Sequence, residues 1–378
     1  MNEAQPYLHP ARLMPYREIV EGLAAAKADG LVNERHDGDH SLFCYTQRAT
    51  YERAWDRFTT MARGLILDRK RECVVATPFE KFWNYGERDQ PIPDLSFEIL
   101  EKLDGSLAII WHDGQEWRCC TKGSFDSEQA KAARGWLRDT SALRCGSTYL
   151  AEWVAPENRI VISYDKPELV LLAVFDEEGR EQSYPQLEET AARLGWRLAS
   201  RHDFASIVDL VAHAGTLPAT EEGFVLRFWD GLRLKIKGEE YRRIHALISD
   251  CTPLGMWRAM EAGDDLSLIR DQLPDEFLPD YDAITGTLNA QTQAIVEAVA
   301  REAQTVAGLS DKEVGLRLNQ WPDPIRTFIF PYRKNAGDLL LGRTRQALFR
   351  AIRPTGNVLA GYTPSYAMNR VIFEDAMG

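Results

Sequence analysis

Residues 98–110, EILEKLDGSLAII, place Lys102, Asp104 and Gly105 in one short polar step directly ahead of a strongly apolar run. The apolar residues on either side predict two β-strands, and the polar step predicts the connection between them. A lysine in such a connection is either a solvated surface residue or a nucleophile at the mouth of a pocket. The rest of the sequence has to decide between these two interpretations.

The composition is typical of an ordinary globular protein. The chain has 378 residues, of which 44% are hydrophobic and 27% charged, and this length predicts two or three domains. No apolar run is long enough to span a membrane, and the first twenty residues lack the apolar centre of a signal peptide. The six cysteines form no CxxC pair. We therefore expect a cytoplasmic protein with reduced thiols, no membrane association and a monomeric state.

The net charge of −12 excludes a protein that coats nucleic acid irrespective of sequence, because such proteins need broad neutralisation of phosphates. It is compatible with an enzyme that holds one nucleic-acid end through a local basic site. The charge is uneven: residues 339–373 contain five arginines and no acidic residue. These arginines (Arg343, Arg345, Arg350, Arg353 and Arg370) predict either a basic face on a helix and loop or a phosphate-binding surface.

The chain changes character near residues 239–250. Up to about Gly238, short apolar runs alternate with turn signals, and two of them predict hairpins that turn at Asp113-Gly114 and Asp230-Gly231. The later part has helical spacing. We predict an α+β domain of antiparallel sheets with flanking helices over residues 1–245, followed by an all-α domain over residues 246–378. The predicted helices lie within 127–139, 184–196, 239–250, 281–306, 311–321 and 337–352.

Basic residues recur beside the predicted strands. Arg233, Lys235 and Lys237 alternate along one strand and therefore project from the same face. Neighbouring lysines repel each other unless an anion lies between them or both stand in water. The set predicts either an exposed sheet face or a clamp for a polyphosphate.

A clamp of this kind would also lower the pKa of Lys102. An amine must lose its proton before it attacks phosphorus, and nearby cations and burial both lower the pKa of a lysine. Lys235 and Lys237 would supply the cations, so we predict an activated Lys102 with a lowered pKa. Gly105 would let a nucleotide approach the backbone closely. Asp104 and Ser106 would stabilise the turn through local hydrogen bonds.

Several segments, in order and spacing, resemble known motifs. EKLDGSLAII is similar to the nucleophile motif of covalent nucleotidyltransferases, the superfamily of ATP-dependent ligases and messenger-RNA capping enzymes. The full set resembles the RNA ligase 1 family, whose type member is the bacteriophage T4 enzyme, over roughly residues 40–245. The other matching segments are MARGLILD (61–68), PFEKFWNYGE (78–87), TKGSFDSEQA (121–130), AEWVAPENRIVISY (151–164), EEGFVLRF (221–228) and LKIKGEEY (234–241).

The resemblance implies a role for each matching residue. Lys102 would be the nucleophile, and Lys235 and Lys237 would act with it in catalysis by contacting the α-phosphate. Glu152 would bond the ribose, and Glu222 would bind the metal. Nucleotide or phosphate contacts would also come from three further residues: Arg63, Lys81 and Lys122.

The implied reaction is the joining of single-stranded RNA ends. Lys102 would take AMP from ATP with Mg²⁺ or Mn²⁺ present, the AMP would pass to a 5′-phosphate, and a 3′-hydroxyl would displace it. The helical C-terminal domain would contribute to RNA specificity. Transfer RNA cleaved in a loop is one such substrate, and a separate end-healing kinase-phosphatase is one partner that the resemblance implies.

Other functions remain open at this point. A DNA ligase or capping enzyme usually carries a small β-barrel after the last lysine motif, whereas residues after 241 have helical spacing. A nick-sealing RNA ligase of the second type is closer, but the segments at 78–87 and 151–164 favour the first type. A non-catalytic protein that binds RNA ends is the alternative from another class.

Overall fold

The computed structural model describes residues 7–365, apart from residues 90 and 138, together with Met368. Arg370, the last arginine of the predicted basic segment, lies outside the described residues. The strands among the described residues are β1 (Val32–Asp37), β2 (His40–Tyr45), β3 (Arg63–Asp68), β4 (Cys73–Ala76), β5 (Trp83–Asn84), β6 (Phe97–Lys102), β7 (Ser106–His112), β8 (Trp117–Thr121), β9 (Thr148–Val154), β10 (Glu168–Phe175), β11 (Arg197–Leu198), β12 (Arg201–His202), β13 (Gly223–Phe228) and β14 (Arg233–Lys237).

Helices lie between the strands and make up the later part of the chain. They are α1 (Pro10–Leu13), α2 (Tyr16–Ala28), α3 (Gln47–Tyr51), α4 (Arg57–Met61), α5 (Glu128–Trp136), α6 (Tyr184–Leu194), α7 (Ile207–Ala214), α8 (Glu239–Asp250), α9 (Pro253–Ala262), α10 (Leu266–Arg270), α11 (Leu278–Thr305), α12 (Asp311–Arg317), α13 (Ile325–Lys334) and α14 (Gly342–Ala351). Short 3₁₀ turns occur at Pro156–Asn158, Asp275–Phe277 and Leu318–Gln320.

The strands form three sheets. Their orders are β1-β2-β3-β4, β11-β10-β9-β7-β8 and β12-β6-β13-β14-β5. Most neighbouring strands are antiparallel, and the exceptions among the described residues are the parallel pairs β10 with β11 and β14 with β5. The predicted α+β class with antiparallel sheets and flanking helices is therefore confirmed.

Alternating apolar residues let the first and second sheets bury both of their faces. In the first sheet, Leu42 and Ile66 pack toward the second sheet, where they meet residues such as Phe175. Phe43 and its neighbours on the opposite face pack against α1, α2 and α4. Helices α5 and α6 pack against the other face of the second sheet. Helix α7 packs on the third sheet, with Leu210 among its contacts there.

Two compact units divide the described residues, one within 7–245 and one within 246–365. Among its described residues the second unit contains helices and no strand. Its core is formed by α11, α13 and α14 with the segments between them, and includes Val299, Phe328 and Leu348. Within the described part of the chain, no helix has the length and apolar character needed to cross a membrane.

The helix predicted within 337–352 is shorter than expected. Helix α14 begins only at Gly342. Upstream of it, Gly337 has a positive φ of 93°, and the side chain of Asp338 accepts a hydrogen bond from the backbone N–H of Leu340 at 2.7 Å. Such local bonds from an aspartate compete with helix formation, so the apolar run 339–341 is non-helical and forms a bend at residues 340–341.

A buried ionic cluster stabilises the turn end of the hairpin β13–β14. Glu181 accepts hydrogen bonds from Arg227, at 2.7 Å, and from Arg233, and all three side chains are almost fully buried. Burial alone would raise the pKa of Glu181, but Arg233 and Arg227 together lower it. Arg233 therefore does not join Lys235 and Lys237 in a polyphosphate clamp, because its charge is already paired with Glu181. This corrects the three-residue clamp that the alternation predicted.

Replacing Glu181 with glutamine is expected to lower the free energy of unfolding by about 3–5 kcal/mol, because two buried guanidinium groups lose their shared counter-charge. Urea denaturation followed by fluorescence measures this change. Glu178→Gln is the matched control, since Glu178 pairs with Arg180 on the surface and its loss should cost less than about 1 kcal/mol. Equal effects in the two variants would contradict a structural role for the buried cluster.

Candidate active site

The register of the third sheet brings the predicted nucleophile to its neighbours. Strand β13 lies between β6 and β14, and Gly223 pairs with Lys102 on one side and with Lys237 on the other. Glu222, one residue earlier, therefore stands between the two lysines. Gly223 has a φ of 133°, and a Cβ there would lie 2.1 Å from the carbonyl oxygen of Ile236. A side chain at residue 223 would disrupt this convergence.

Glu222 forms ion pairs with both lysines. Its Oε2 atom lies 2.7 Å from Nζ of Lys102, and its Oε1 atom lies 3.0 Å from Nζ of Lys237. The Glu222 side chain is only 3% exposed. Burial would raise the pKa of this carboxyl, but Lys102 and Lys237 lower it, so Glu222 is ionised. The two lysines and the carboxylate form one charged triad at the end of the sheet.

The triad corrects the prediction for the pKa of Lys102. Burial by itself would lower this pKa, but the carboxylates of Glu222 and Glu152 outweigh burial and raise it above its ordinary value. The amine is therefore protonated at neutral pH in this state of the protein. The prediction considered the nearby cations and omitted Glu222, whose carboxylate is the direct partner of the ammonium group.

A second group of cations lies beside the triad. Burial, followed by Lys81 and Lys102, lowers the pKa of Lys235 well below its ordinary value. Burial, followed by Arg63 and Lys122, lowers the pKa of Lys81 to about 8. A buried Nη1 atom of Arg63 has no hydrogen-bond partner among the described residues. This part of the site has an excess of positive charge, which an anion would relieve.

Aromatic rings line the same cations. The Lys235 ammonium and the Arg63 guanidinium lie 5.5 and 5.3 Å from the ring centre of Phe82. The Lys81 ammonium lies 5.1 Å from the ring centre of Tyr45. Ring faces attract cations, so these rings stabilise the charged groups without neutralising their charge.

Glu152 and Lys122 complete the predicted set. Glu152 lies on β9 opposite Leu107, and its charge acts on Lys102. Lys122 follows β8, and its Cα atom would lie 3.1 Å from a Cβ added to Gly64. Its charge acts on Lys81. The structure thus brings all eight predicted residues into one region: Arg63, Lys81, Lys102, Lys122, Glu152, Glu222, Lys235 and Lys237.

Asp104 forms hydrogen bonds with residues that are more distant in the sequence than predicted. Its Oδ2 atom accepts hydrogen bonds from the backbone N–H groups of Val161 and Ile162, both at 2.8 Å. Its Oδ1 atom accepts one from the Tyr241 hydroxyl at 2.9 Å. Burial and the charge of Glu222 raise the pKa of Asp104, while these three hydrogen bonds oppose the rise. Asp104 therefore joins the nucleophile loop to two distant segments of the chain and does not merely close its own turn.

Gly105 also has a different role from the predicted one. A Cβ at this position would lie 2.5 Å from the carbonyl oxygen of Trp153 and 3.0 Å from Cγ of Glu152. The glycine lets the nucleophile loop pack against β9 and so brings Lys102 close to Glu152. Its close neighbour is protein backbone, whereas the sequence had suggested a nucleotide.

Three positioning residues were not identified from the sequence. The Tyr164 hydroxyl accepts a hydrogen bond from the backbone N–H of Asp104 at 3.0 Å. Asn158 donates to the carbonyl oxygen of Trp153 at 2.7 Å and contacts Ser106. Tyr241 contacts Asp104 as described above. The segment AEWVAPENRIVISY (151–164), which resembled a family motif, was the available signal for the first two.

Among the described residues, no group of three or more histidine, cysteine, aspartate or glutamate side chains is arranged to hold a metal ion. Mg²⁺, however, is commonly bound by one or two carboxylates together with substrate phosphates and water. Glu222 supplies a hard carboxylate beside the cation-rich region. The residues present therefore fit a divalent ion shared between the protein and a bound polyphosphate.

The segment that carries these residues is similar to a known protein family. Residues 61–241, which contain the whole site, match the model of a family described as RNA ligase, of the T4 type. This segment is therefore similar to RNA ligases. It begins just before β3 and ends at Tyr241, the residue bonded to Asp104.

Several individual relatives extend the comparison. An RNA ligase 1 of bacteriophage TS2126 is 26% identical over 338 residues, which cover 81% of this chain and 73% of that protein. A protein of Autographa californica nuclear polyhedrosis virus, named as a bifunctional polynucleotide kinase/RNA ligase, is 30% identical over 216 residues, which cover 48% of this chain. This chain spans 30% of the viral protein and 52% of an RNA ligase relative from Thermovibrio ammonificans.

Solved structures resemble the chain only weakly. A Naegleria gruberi RNA ligase with pyrophosphate has a TM-score of 0.35 and 16% identity, and the match covers 40% of this chain and 51% of that one. A variant of the same ligase with ATP and Mn has a TM-score of 0.34 and 14% identity. Scores of this size do not establish a common fold.

Proposed function

We propose that this protein is an ATP-dependent RNA ligase that joins a 5′-phosphate to a 3′-hydroxyl of single-stranded RNA. The observation that carries the proposal is the Lys102–Glu222–Lys237 triad beside the cationic groups of Lys235, Lys81 and Arg63, which are buried or partly buried. A polyanion that ends at Lys102 would satisfy these cations and present phosphorus to the amine. The similarity of residues 61–241 to the RNA ligase family model supports the same reaction.

In the first step, Nζ of Lys102 attacks the α-phosphorus of ATP. A P–N bond forms, the bond to the β-phosphate oxygen breaks, pyrophosphate leaves with the bonding electrons, and the amine loses its proton. Lys235 and Lys237 would bind the α-phosphate oxygens, and Arg63, Lys81 and Lys122 the remaining nucleotide and phosphate groups. Glu152 would accept a hydrogen bond from the ribose. The rate would come mainly from positioning and from cation stabilisation of the spread charge.

A Mg²⁺ or Mn²⁺ ion held by Glu222 and the nucleotide would supply additional charge stabilisation at the phosphates. When Glu222 binds such an ion, its negative charge is shared with the metal and stabilises the Lys102 ammonium less strongly. The pKa of Lys102 would then fall toward that of an amine able to lose its proton, because the carboxylate is what raises it. The resting triad thus keeps the nucleophile inactive until its substrate is present.

The later steps transfer AMP to RNA. A 5′-phosphate oxygen attacks the phosphorus of the lysyl-AMP, and the P–N bond breaks to return the free lysine. A 3′-hydroxyl then attacks the adenylylated 5′-phosphate, and AMP leaves. We assign residues 1–245 to the adenylyltransferase domain and residues 246–378 to a helical domain that contributes to RNA specificity. The biological task proposed is the repair of broken RNA, including transfer RNA, with an end-healing kinase-phosphatase as a partner.

The proposal is tested by incubating the wild-type protein with α-³²P-ATP and Mg²⁺ and separating it on a denaturing gel. We expect a labelled protein whose bond is stable to base and labile to acid, as a phosphoramidate is. Addition of 5′-phosphorylated single-stranded RNA should move the label onto RNA and produce circles or joined products. A protein that never labels, even after pyrophosphate treatment to remove bound AMP, would contradict the proposal and leave a non-catalytic RNA-end-binding protein. Sealing only of nicks in duplex RNA would indicate a ligase of the second type.

A further inference from the structure

A rigid turn follows β5 at the edge of the third sheet. The backbone N–H and the side-chain amide of Asn84 both donate to Oε2 of Glu87, at 2.8 and 2.7 Å. The N–H of Glu87 returns a hydrogen bond to the Asn84 carbonyl at 3.1 Å, and Gly86 has a φ of 76°. The turn presents Tyr85, which is 40% exposed. A large aromatic ring is therefore held in solvent on a segment with little conformational freedom.

An arginine extends this aromatic surface. The guanidinium of Arg88 lies 4.2 Å from the ring centre of Trp83. Arg88 is exposed, and it has no carboxylate within 4 Å among the described residues. A guanidinium fixed on a ring can stack with a base or bind a phosphate. Its charge is available to an anionic partner.

The surface is continuous with the proposed nucleotide site. The N–H of Tyr85 donates to the carbonyl oxygen of Lys235 at 2.8 Å. The ring of Trp83 lies 5.9 Å from the ring of Trp55, and the Trp55 ring centre lies 5.4 Å from the ammonium of Lys81. A backbone hydrogen bond to Lys235 and a series of ring contacts that ends at Lys81 thus connect the turn with cations proposed to bind the nucleotide.

We propose that Tyr85 and Arg88, supported by Trp83 and Trp55, bind the single-stranded RNA next to the end being joined. This inference rests on the proposed function of the same site and names the RNA subsite within it. Exposed aromatic rings beside a cation are the elements by which proteins bind unpaired bases and backbone phosphates. A duplex keeps its bases stacked on one another and would not expose them to Tyr85. The chain carries a net charge of −12, so an RNA strand needs a local feature of this kind.

The test separates RNA binding from reaction with ATP. Tyr85→Ala, Tyr85→Phe and Arg88→Gln are compared with wild type in two assays. The first measures binding of a fluorescent 5′-phosphorylated single-stranded RNA by anisotropy at several salt concentrations. The second measures labelling by α-³²P-ATP without RNA. Trp229→Ala is the aromatic control, since Trp229 is exposed in the turn between β13 and β14. Arg17→Gln on α2 is the control for loss of an exposed arginine.

Tyr85→Ala is expected to weaken RNA binding about 5- to 150-fold, the range for loss of one stacked base, and Tyr85→Phe to retain it. Arg88→Gln should weaken binding and make the slope of log K against log salt shallower by about 0.7. All variants should label with ATP at the wild-type rate. Unchanged RNA affinity in Tyr85→Ala and Arg88→Gln would overturn the inference, and so would a loss of ATP labelling with RNA affinity intact. Failure of the wild type to label contradicts the proposed function alone, because RNA binding is still measured directly.

Discussion

Replacing Lys102 with arginine is expected to abolish covalent labelling of the protein by α-³²P-ATP, a loss of at least about 10⁴-fold. Arginine retains a positive charge, so the buried Glu222 still has a counter-charge and the fold is preserved. It cannot lose its proton at any pH at which the protein is folded, so it cannot serve as the nucleophile. The measurement is the amount of radioactive protein on a denaturing gel.

A second substrate distinguishes loss of the nucleophile from loss of structure. RNA that already carries an adenylylated 5′ end needs no lysyl-AMP, so the Lys102→Arg variant should still join it to a 3′-hydroxyl. Lys166→Arg is the matched control, because Lys166 is an exposed lysine paired with Glu168, and it should label like wild type. Label that persists in Lys102→Arg would show that another residue carries the AMP.

Replacing Glu222 with glutamine is expected to slow labelling by at least about 10²-fold. The change removes the carboxylate that orients Lys102 and Lys237 and that would hold the metal. It also removes the charge that raises the pKa of Lys102, so this pKa falls. Because the reaction needs the neutral amine, its rate increases with pH through the pKa of Lys102, and in the variant that increase should occur at lower pH.

Single-turnover labelling between about pH 6 and pH 10 measures both effects. The neighbouring Glu221 provides the control, since it is exposed and Glu221→Gln should match wild type in rate and in pH dependence. The same comparison tests the choice of Glu222 over Glu221 in the doubled EEG sequence. A full rate in Glu222→Gln, or a profile moved to higher pH, would contradict the role assigned to this carboxylate.

Local sequence patterns were sufficient for much of the fold. The hairpins at Asp113-Gly114 and Asp230-Gly231 and the long helix α11 follow from turn residues and helical spacing, which are short-range properties. The late start of α14 was not predicted, because the apolar run 339–341 hides the competing side-chain bond of Asp338. The order of strands in the three sheets depends on pairing between distant segments, such as β6 with β13, and no local pattern specifies it.

For the candidate site, local sequence patterns predicted which residues take part but not how they interact. The charged residues were identified because their spacing resembled a family, and the structure brings them together. Their electrostatic state was not predicted correctly, since the pKa of Lys102 depends on Glu222, which lies 120 residues away in the sequence and 2.7 Å away in space. The long-range bonds of Asp104 and the pairing of Arg233 with Glu181 escaped prediction for the same reason. A short stretch of sequence shows which charged residues are present, whereas their hydrogen-bond and ion-pair partners are determined by the complete fold.

The protonated state of Lys102 has a consequence for chemical modification of the protein. Aldehydes, active esters and other reagents that modify lysines attack the neutral amine. In the resting protein Lys102 is held as an ammonium ion against Glu222, whereas the pKa of Lys81 lies near 8 and that of Lys235 is well below that of an ordinary lysine. By its pKa alone, the proposed nucleophile would therefore be less reactive toward such reagents than Lys81 and Lys235. The proposed nucleophile would thus be protected from adventitious acylation for as long as no nucleotide is bound.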